Sequence, residues 1–143
     1  MSGWILDTNI LLELRKPDCD ARVRAWVEGQ PITALHVSCV TLADIRFGIE
    51  RLEEGSWVRW TLTSWLDDTL RPWFEGRVLD IDEAVVLAWR RLVEAARARQ
   101  QSCLQPDLFI AATAVTHGLG IATRNVADFA AADVPVLNPW DAD

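Results

Sequence analysis

Cysteine is scarce in this 143-residue chain, and Cys19, Cys39 and Cys103 are odd in number and far apart. Without a Cys-x-x-Cys spacing they argue against a disulfide framework, a zinc site or thiol redox chemistry, and they fit a reducing, cytoplasmic setting. Lysine is reduced to Lys16, too early in the chain to serve as the lysine a receiver domain needs beside its acids. No apolar run approaches the roughly 18 residues that would span a membrane, and the N-terminus lacks the basic, apolar and small-residue pattern of a signal peptide. The expectation is a soluble protein with no membrane contact. Glycine, proline and serine nowhere gather into a linker, and no repeat is visible, so residues 1–143 read as one domain.

Basic charge is also in deficit: 14 cations stand against 21 anions, a net charge of −7. A protein that grips nucleic acid by bulk electrostatics would show the opposite balance. A site that assigned four carboxylates to metal would leave −3 and bring the local field near neutral, so acidity does not exclude a nuclease. Thirteen of the fourteen cations are arginine, a bias toward planar partners such as carboxylate and phosphate.

What is present is an alternation of short apolar runs with amphipathic stretches. Residues 3–6 form a strand that stops at Asp7-Thr8-Asn9, ahead of a helix carrying Ile10, Leu11 and Leu14. A helix from Asp20 carries Val23, Trp26 and Val27 and ends at Gly29. Strand 36–40 follows, then a helix opened by Thr41 with Ile45, Phe47, Ile49 and Leu52. Ser56 begins a helix reaching about Trp73, and 78–81 is a third strand. Asp82 caps a helix that turns Val85, Val86, Trp89, Leu92 and Val93 inward, and Pro106 takes the first position of another that runs to Gly118. Strands 120–123 and 134–137 flank a brief helix around 127–132. Five strands alternating with helices predict an α/β protein with a central, mostly parallel sheet between two helix layers.

In such a sheet, ligands gather beyond the carboxyl ends of the strands. Asp7 directly follows the first strand, Asp44 falls in the first turn after the second, Asp107 in the first turn after Pro106, and Asp128 shortly after the fourth. Any one of them can be a helix cap opposing the dipole, at about 0.3–1 kcal/mol, and Thr41 with Asp44 resembles a shortened capping box. Together they make a different case. Carboxylates about 4 Å apart repel by roughly 4 kcal/mol per pair at an effective dielectric of 20, a cost that a hard divalent ion removes. Mg²⁺, with Mn²⁺ as substitute, suits an all-oxygen site and activates water against a phosphodiester.

The segments Ile5-Leu6-Asp7-Thr8-Asn9, Ser38-Cys39-Val40-Thr41-Leu42-Ala43-Asp44-Ile45, Asp107-Leu108-Phe109-Ile110-Ala111-Ala112 and Thr123-Arg124-Asn125-Val126-Ala127-Asp128-Phe129 resemble the four ordered motifs of PIN domains, and within them VapC toxins of the FitB-like branch. The resemblance implies a single three-layer α/β/α PIN domain and a Mg²⁺-dependent endoribonuclease acting on tRNA or other structured RNA. It also implies a toxin held inactive by a small antitoxin. Carried over by motif position, Asp7, Asp44, Asp107 and Asp128 are the catalytic and metal-binding quartet, with Thr8, Asn9 and Asn125 in secondary, positioning roles. The second acid of the family is usually Glu. Asp44 is one methylene shorter, which implies contact with the metal through water.

Four of the eight tryptophans lie in the helix from Ser56. Val58, Leu62, Trp65, Leu66, Leu70 and Trp73 share its apolar face, and Trp57 and Trp60 fall outside it, as a surface for a homodimer or an antitoxin. His36 and His117 read as structural. Arg124, beside the end of the fourth strand, is a candidate phosphate contact or a surface ion pair. Arg90, Arg91, Arg97 and Arg99 read as a solvated helix face. A haloacid-dehalogenase-like phosphatase would need a second Asp where Asn9 stands. The competing reading is a PIN-like module, weak or inactive in catalysis, that works through protein contacts.

Overall fold

The computed structural model describes residues 3–101, 105–130 and 132–141, and Cys103 lies outside them. Five short strands, β1 (Trp4–Leu6), β2 (Leu35–Ser38), β3 (Val78–Leu79), β4 (Gly120–Ala122) and β5 (Val136–Leu137), form one sheet in the order β3-β2-β1-β4-β5. Every neighbouring pair is parallel, with Ile5 opposite His36 on one side and Ile121 on the other. The chain winds outward from β1 to β3, then returns to lay β4 on the free side of β1. The strand order therefore reverses between β1 and β4, and the crevice at their carboxyl ends is where such sheets bind ligands.

The helices are α1 (Thr8–Leu14), α2 (Ala21–Glu28), α3 (Cys39–Glu50), α4 (Trp57–Trp65), α5 (Arg71–Trp73), α6 (Glu83–Ala98) and α7 (Gln105–His117). Strand side chains alternate between faces, and the two cores follow that period of two. Leu6, Leu35, Val37 and Ala122 meet Ile10, Leu11, Val23, Val27, Leu66, Leu70 and Phe74 on one face. Ile5 and Ile121 meet Ile110, Ala111 and Ala114 of α7 on the other, where Val85 and Ala88 of α6 close on Ala112. The result is the expected three-layer α/β/α arrangement.

Two glycines are required by the backbone. A Cβ on Gly3 would stand 2.3 Å from the carbonyl oxygen of Ala34, and Gly118 ends α7 at φ +66°.

Several expectations need correction. Helix α3 starts at Cys39 rather than at Thr41, because Ser38 is the first hydroxyl able to cap it: Ser38 Oγ accepts from the Val40 N–H at 3.1 Å. Asp44 then sits in the second turn, and the Thr41–Asp44 capping box does not form. The helix predicted from Ser56 to Trp73 is interrupted by a wider turn at Leu66–Leu70, where the Arg71 N–H reaches back to the Leu66 carbonyl. Pro72 supplies no N–H and crowds the carbonyl four residues back, and the turn ahead of it widens in response. Val58 is exposed, since the first turn of α4 projects past the core that Leu62 and Trp65 touch, and Val86 is exposed while Ala88 packs inward.

Candidate functional site

Asp7 is placed at the reversal point by the sheet itself. Its N–H donates to the Ala122 carbonyl at 3.0 Å, continuing the ladder between β1 and β4, and its side chain caps α1, Oδ1 accepting from the Thr8 N–H at 2.9 Å. The carboxylate is nearly buried, and its second oxygen is held from β4: the Thr123 hydroxyl donates to Oδ2 at 2.8 Å, and the Asn9 amide adds a longer contact at 3.4 Å. Asn9 Nδ2 also donates to Thr123 Oγ1 at 3.2 Å, while Asn9 Oδ1 accepts from the Arg124 N–H at 3.1 Å. The Asn125 N–H donates to the same Thr123 oxygen at 3.0 Å.

The turns after β1 and β4 are thus tied into one network around a single carboxylate. Thr8 and Asn125 contribute to it through their main-chain N–H groups. Thr123, fully buried, was not singled out from the sequence; its place in the fourth motif, directly after the apolar run of β4, was the available signal.

Asp107, in the first turn of α7, is half-buried. Burial pushes its carboxyl up to about 6, and the negative charges of Asp7, Asp128 and Asp44, in that order, push in the same direction. Asp44, on the exposed side of α3, is raised above the ordinary carboxylate range by partial desolvation and then by Asp7. Asp107 therefore lies within electrostatic reach of the other three predicted acids. Asp107 and Asp128 also line a narrow cleft with Leu108, Phe129 and Arg99. Arg99, exposed like Arg90, Arg91 and Arg97, thus borders this cleft from the solvated helix face, where Arg90 and Arg97 pair with Glu94.

Among the described residues, no three His, Cys, Asp or Glu side chains are close enough to form a closed ligand set for one ion. A hydrated Mg²⁺ does not require one, because it is held by one or two carboxylates and keeps several waters. The donor set fits such an ion: Asp7, Asp44, Asp107 and Asp128 offer hard carboxylate oxygens, the ligands Mg²⁺ prefers. The histidines are elsewhere, His36 within β2 and His117 before the amino end of β4.

Away from the crevice, Trp57 and Trp60 stack on one another at 5.0 Å between ring centroids and are 74% and 60% exposed. Arg124 places its guanidinium over the Trp140 ring at 4.8 Å.

A parallel three-layer sheet with acids collected at its reversal point matches the PIN-domain family over residues 4–135, and the chain belongs to that family. Over 137 residues it is 36% identical to the VapC ribonuclease Y4jK of Sinorhizobium fredii, covering 96% of this chain and 97% of the relative. It is 35% identical to Toxin FitB of Neisseria gonorrhoeae over 136 residues, 95% of this chain and 97% of that one. The crystal structure of FitAcB from Neisseria gonorrhoeae superposes with a TM-score of 0.88 at 35% identity, over 96% of this chain and 99% of that one. Within the family, the protein is a VapC/FitB-like toxin of a type II toxin–antitoxin system.

Proposed function

We propose that this toxin is a Mg²⁺-dependent endoribonuclease that hydrolyses phosphodiester bonds in tRNA or another structured RNA, working in the cytoplasm. The observation that carries the reading is the fixing of Asp7 by Thr8, Thr123 and Asn9 near Asp107 and Asp44, whose carboxyls are raised by burial and by the charge of neighbouring acids. Among the relatives, Y4jK and the mycobacterial VapC4, the latter 38% identical over 101 residues, are named ribonucleases.

In this reading one or two of Asp7, Asp107 and Asp128 would hold the metal directly, and the remaining acids, Asp44 among them, would reach it through its waters. When bound, Mg²⁺ would supply Lewis-acid polarisation of the phosphoryl oxygen and a water acidic enough to attack phosphorus. The chain's own groups do the rest. Thr123 and Asn9 orient the Asp7 carboxylate, and the Thr8 N–H keeps its other oxygen in place.

The toxin would be held by a small VapB-like antitoxin and act as a homodimer, with Trp57 and Trp60 on a partner-facing surface. One solved relative, at 33% identity and a TM-score of 0.88, is FitAB bound to a DNA fragment.

Purified protein incubated with total tRNA should cleave in Mg²⁺, stop in EDTA, and lose activity with Asp7→Asn. Cleavage that persists unchanged in the Asp7→Asn protein would identify a contaminant. An inert wild type that still captures its antitoxin would establish the interaction-module reading instead.

A further inference from the structure

Arg124 presents a problem of charge. It leaves the turn after β4 with its N–H tied to Asn9, whose own amide reaches Asp7, so its side chain starts at the rim of the acidic crevice. A guanidinium carries five donors in a fork matched to carboxylates and would be expected to close on the nearest acid. It does not: no ion pair among the described residues includes Arg124. Its guanidinium lies instead over the Trp140 ring at 4.8 Å.

Trp140 is suited to hold it. The residue is only 6% exposed and its ring packs into the main core, while its main-chain N–H donates to Asn138 Oδ1 at 2.9 Å within the turn Pro139–Asp141. Stacking uses the face of the guanidinium and leaves the N–H groups along its edge for an anion. A cation held this way keeps off the metal carboxylates while lying beside a pocket whose charge would otherwise repel an approaching polyanion.

We infer that Arg124 binds a phosphate of the RNA backbone next to the bond being cut, and that Trp140 is the positioning residue that holds it out of the acidic pocket. The inference rests on the ribonuclease reading above and adds to it a substrate contact and the residue that aims it.

The test is steady-state cleavage of total tRNA across a salt series, with Mg²⁺ affinity measured separately by titration calorimetry. Arg124→Ala should raise KM about tenfold, as expected for loss of one charge-assisted contact, and leave kcat within about twofold. It should also flatten the dependence of log KM on log salt by roughly 0.7–0.9, one phosphate's share. Mg²⁺ affinity should not move. Trp140→Phe, which keeps a ring, should behave as wild type. Trp140→Leu should reproduce the shallower slope, and adding Arg124→Ala to it should change nothing further. Arg124→Lys keeps the charge without the stacked plane and disturbs no core atom, so its intermediate KM provides the reading if Trp140→Leu does not fold.

An active wild type whose Arg124→Ala variant keeps its KM and salt slope overturns the phosphate contact. Independent, additive effects of the two substitutions overturn the positioning role of Trp140. A wild type that cleaves no RNA in Mg²⁺ overturns the ribonuclease reading, and this inference with it.

Discussion

Thr123 donates its hydroxyl proton to Asp7 Oδ2 across 2.8 Å, while its oxygen accepts from Asn9 Nδ2 at 3.2 Å and from the Asn125 N–H at 3.0 Å. A hydroxyl has one proton and two lone pairs, and all three are engaged, so its orientation is fixed. Thr123→Val keeps the shape and removes the donor. It should lower stability by about 1–3 kcal/mol in chemical denaturation and weaken Mg²⁺ binding about tenfold or more by calorimetry. Thr123→Ser should recover most of both, and a valine variant that binds Mg²⁺ as wild type does would remove Thr123 from the site.

Asp107 links the site to pH. Its carboxyl is raised from 3.8 to about 6 in the fold, so between those values the folded protein binds a proton that the unfolded chain has released. Stability falls as pH rises through this window, with no penalty below about pH 4 and a constant one above about pH 6. Asp107→Asn, neutral throughout, should therefore melt a few degrees higher than wild type above pH 6 in EDTA and match it below pH 4. A difference in melting temperature that does not vary with pH would contradict this account.

Asp44 lies in the second turn of α3, exposed, and feels Asp7 across the crevice. Asp44→Glu adds one methylene of reach and should bind Mg²⁺ more tightly in a calorimetric titration. Equal or weaker binding by the Glu form would show that position 44 does not approach the ion.

Stability outside the site depends strongly on Arg77. Its guanidinium donates to the carbonyls of Ile32 and Leu35 at 2.7 and 2.6 Å and to that of Trp73, and it lies 5.1 Å from the ring centroids of Trp73 and Phe74. One side chain thus pins the entry to β2 against the end of α5. Arg77→Ala leaves those carbonyls unpaired and should cost about 2–4 kcal/mol in urea unfolding. Lysine, with no planar fork, should restore only part of it, and a variant with an unshifted midpoint would show that water replaces the clamp.

The elements that announced themselves in the sequence are those whose signals are local. Asp7, Asp20, Ser56 and Asp82 each stand where a helix was read to begin, and the side chain of each caps that helix. The boundary at α3 was ambiguous because Ser38 and Thr41 are both competent caps three residues apart, and only the end of the β2 ladder decides between them. The widened turn before Pro72 depended on how far the helix persists through a proline, which periodicity does not report. The four acids were legible as a set from their positions after strands. The part played by Thr123 was not, since it acts on a residue 116 positions away and needs β4 to lie beside β1.

That adjacency also makes the geometry around Asp7 a late event in synthesis. Asp7 leaves the ribosome 116 residues ahead of Thr123, whose hydroxyl steadies it. A nascent polypeptide cut short of β4 carries the first acid without the prop that orients it, so the carboxylate takes its fixed orientation only once β4 has joined β1.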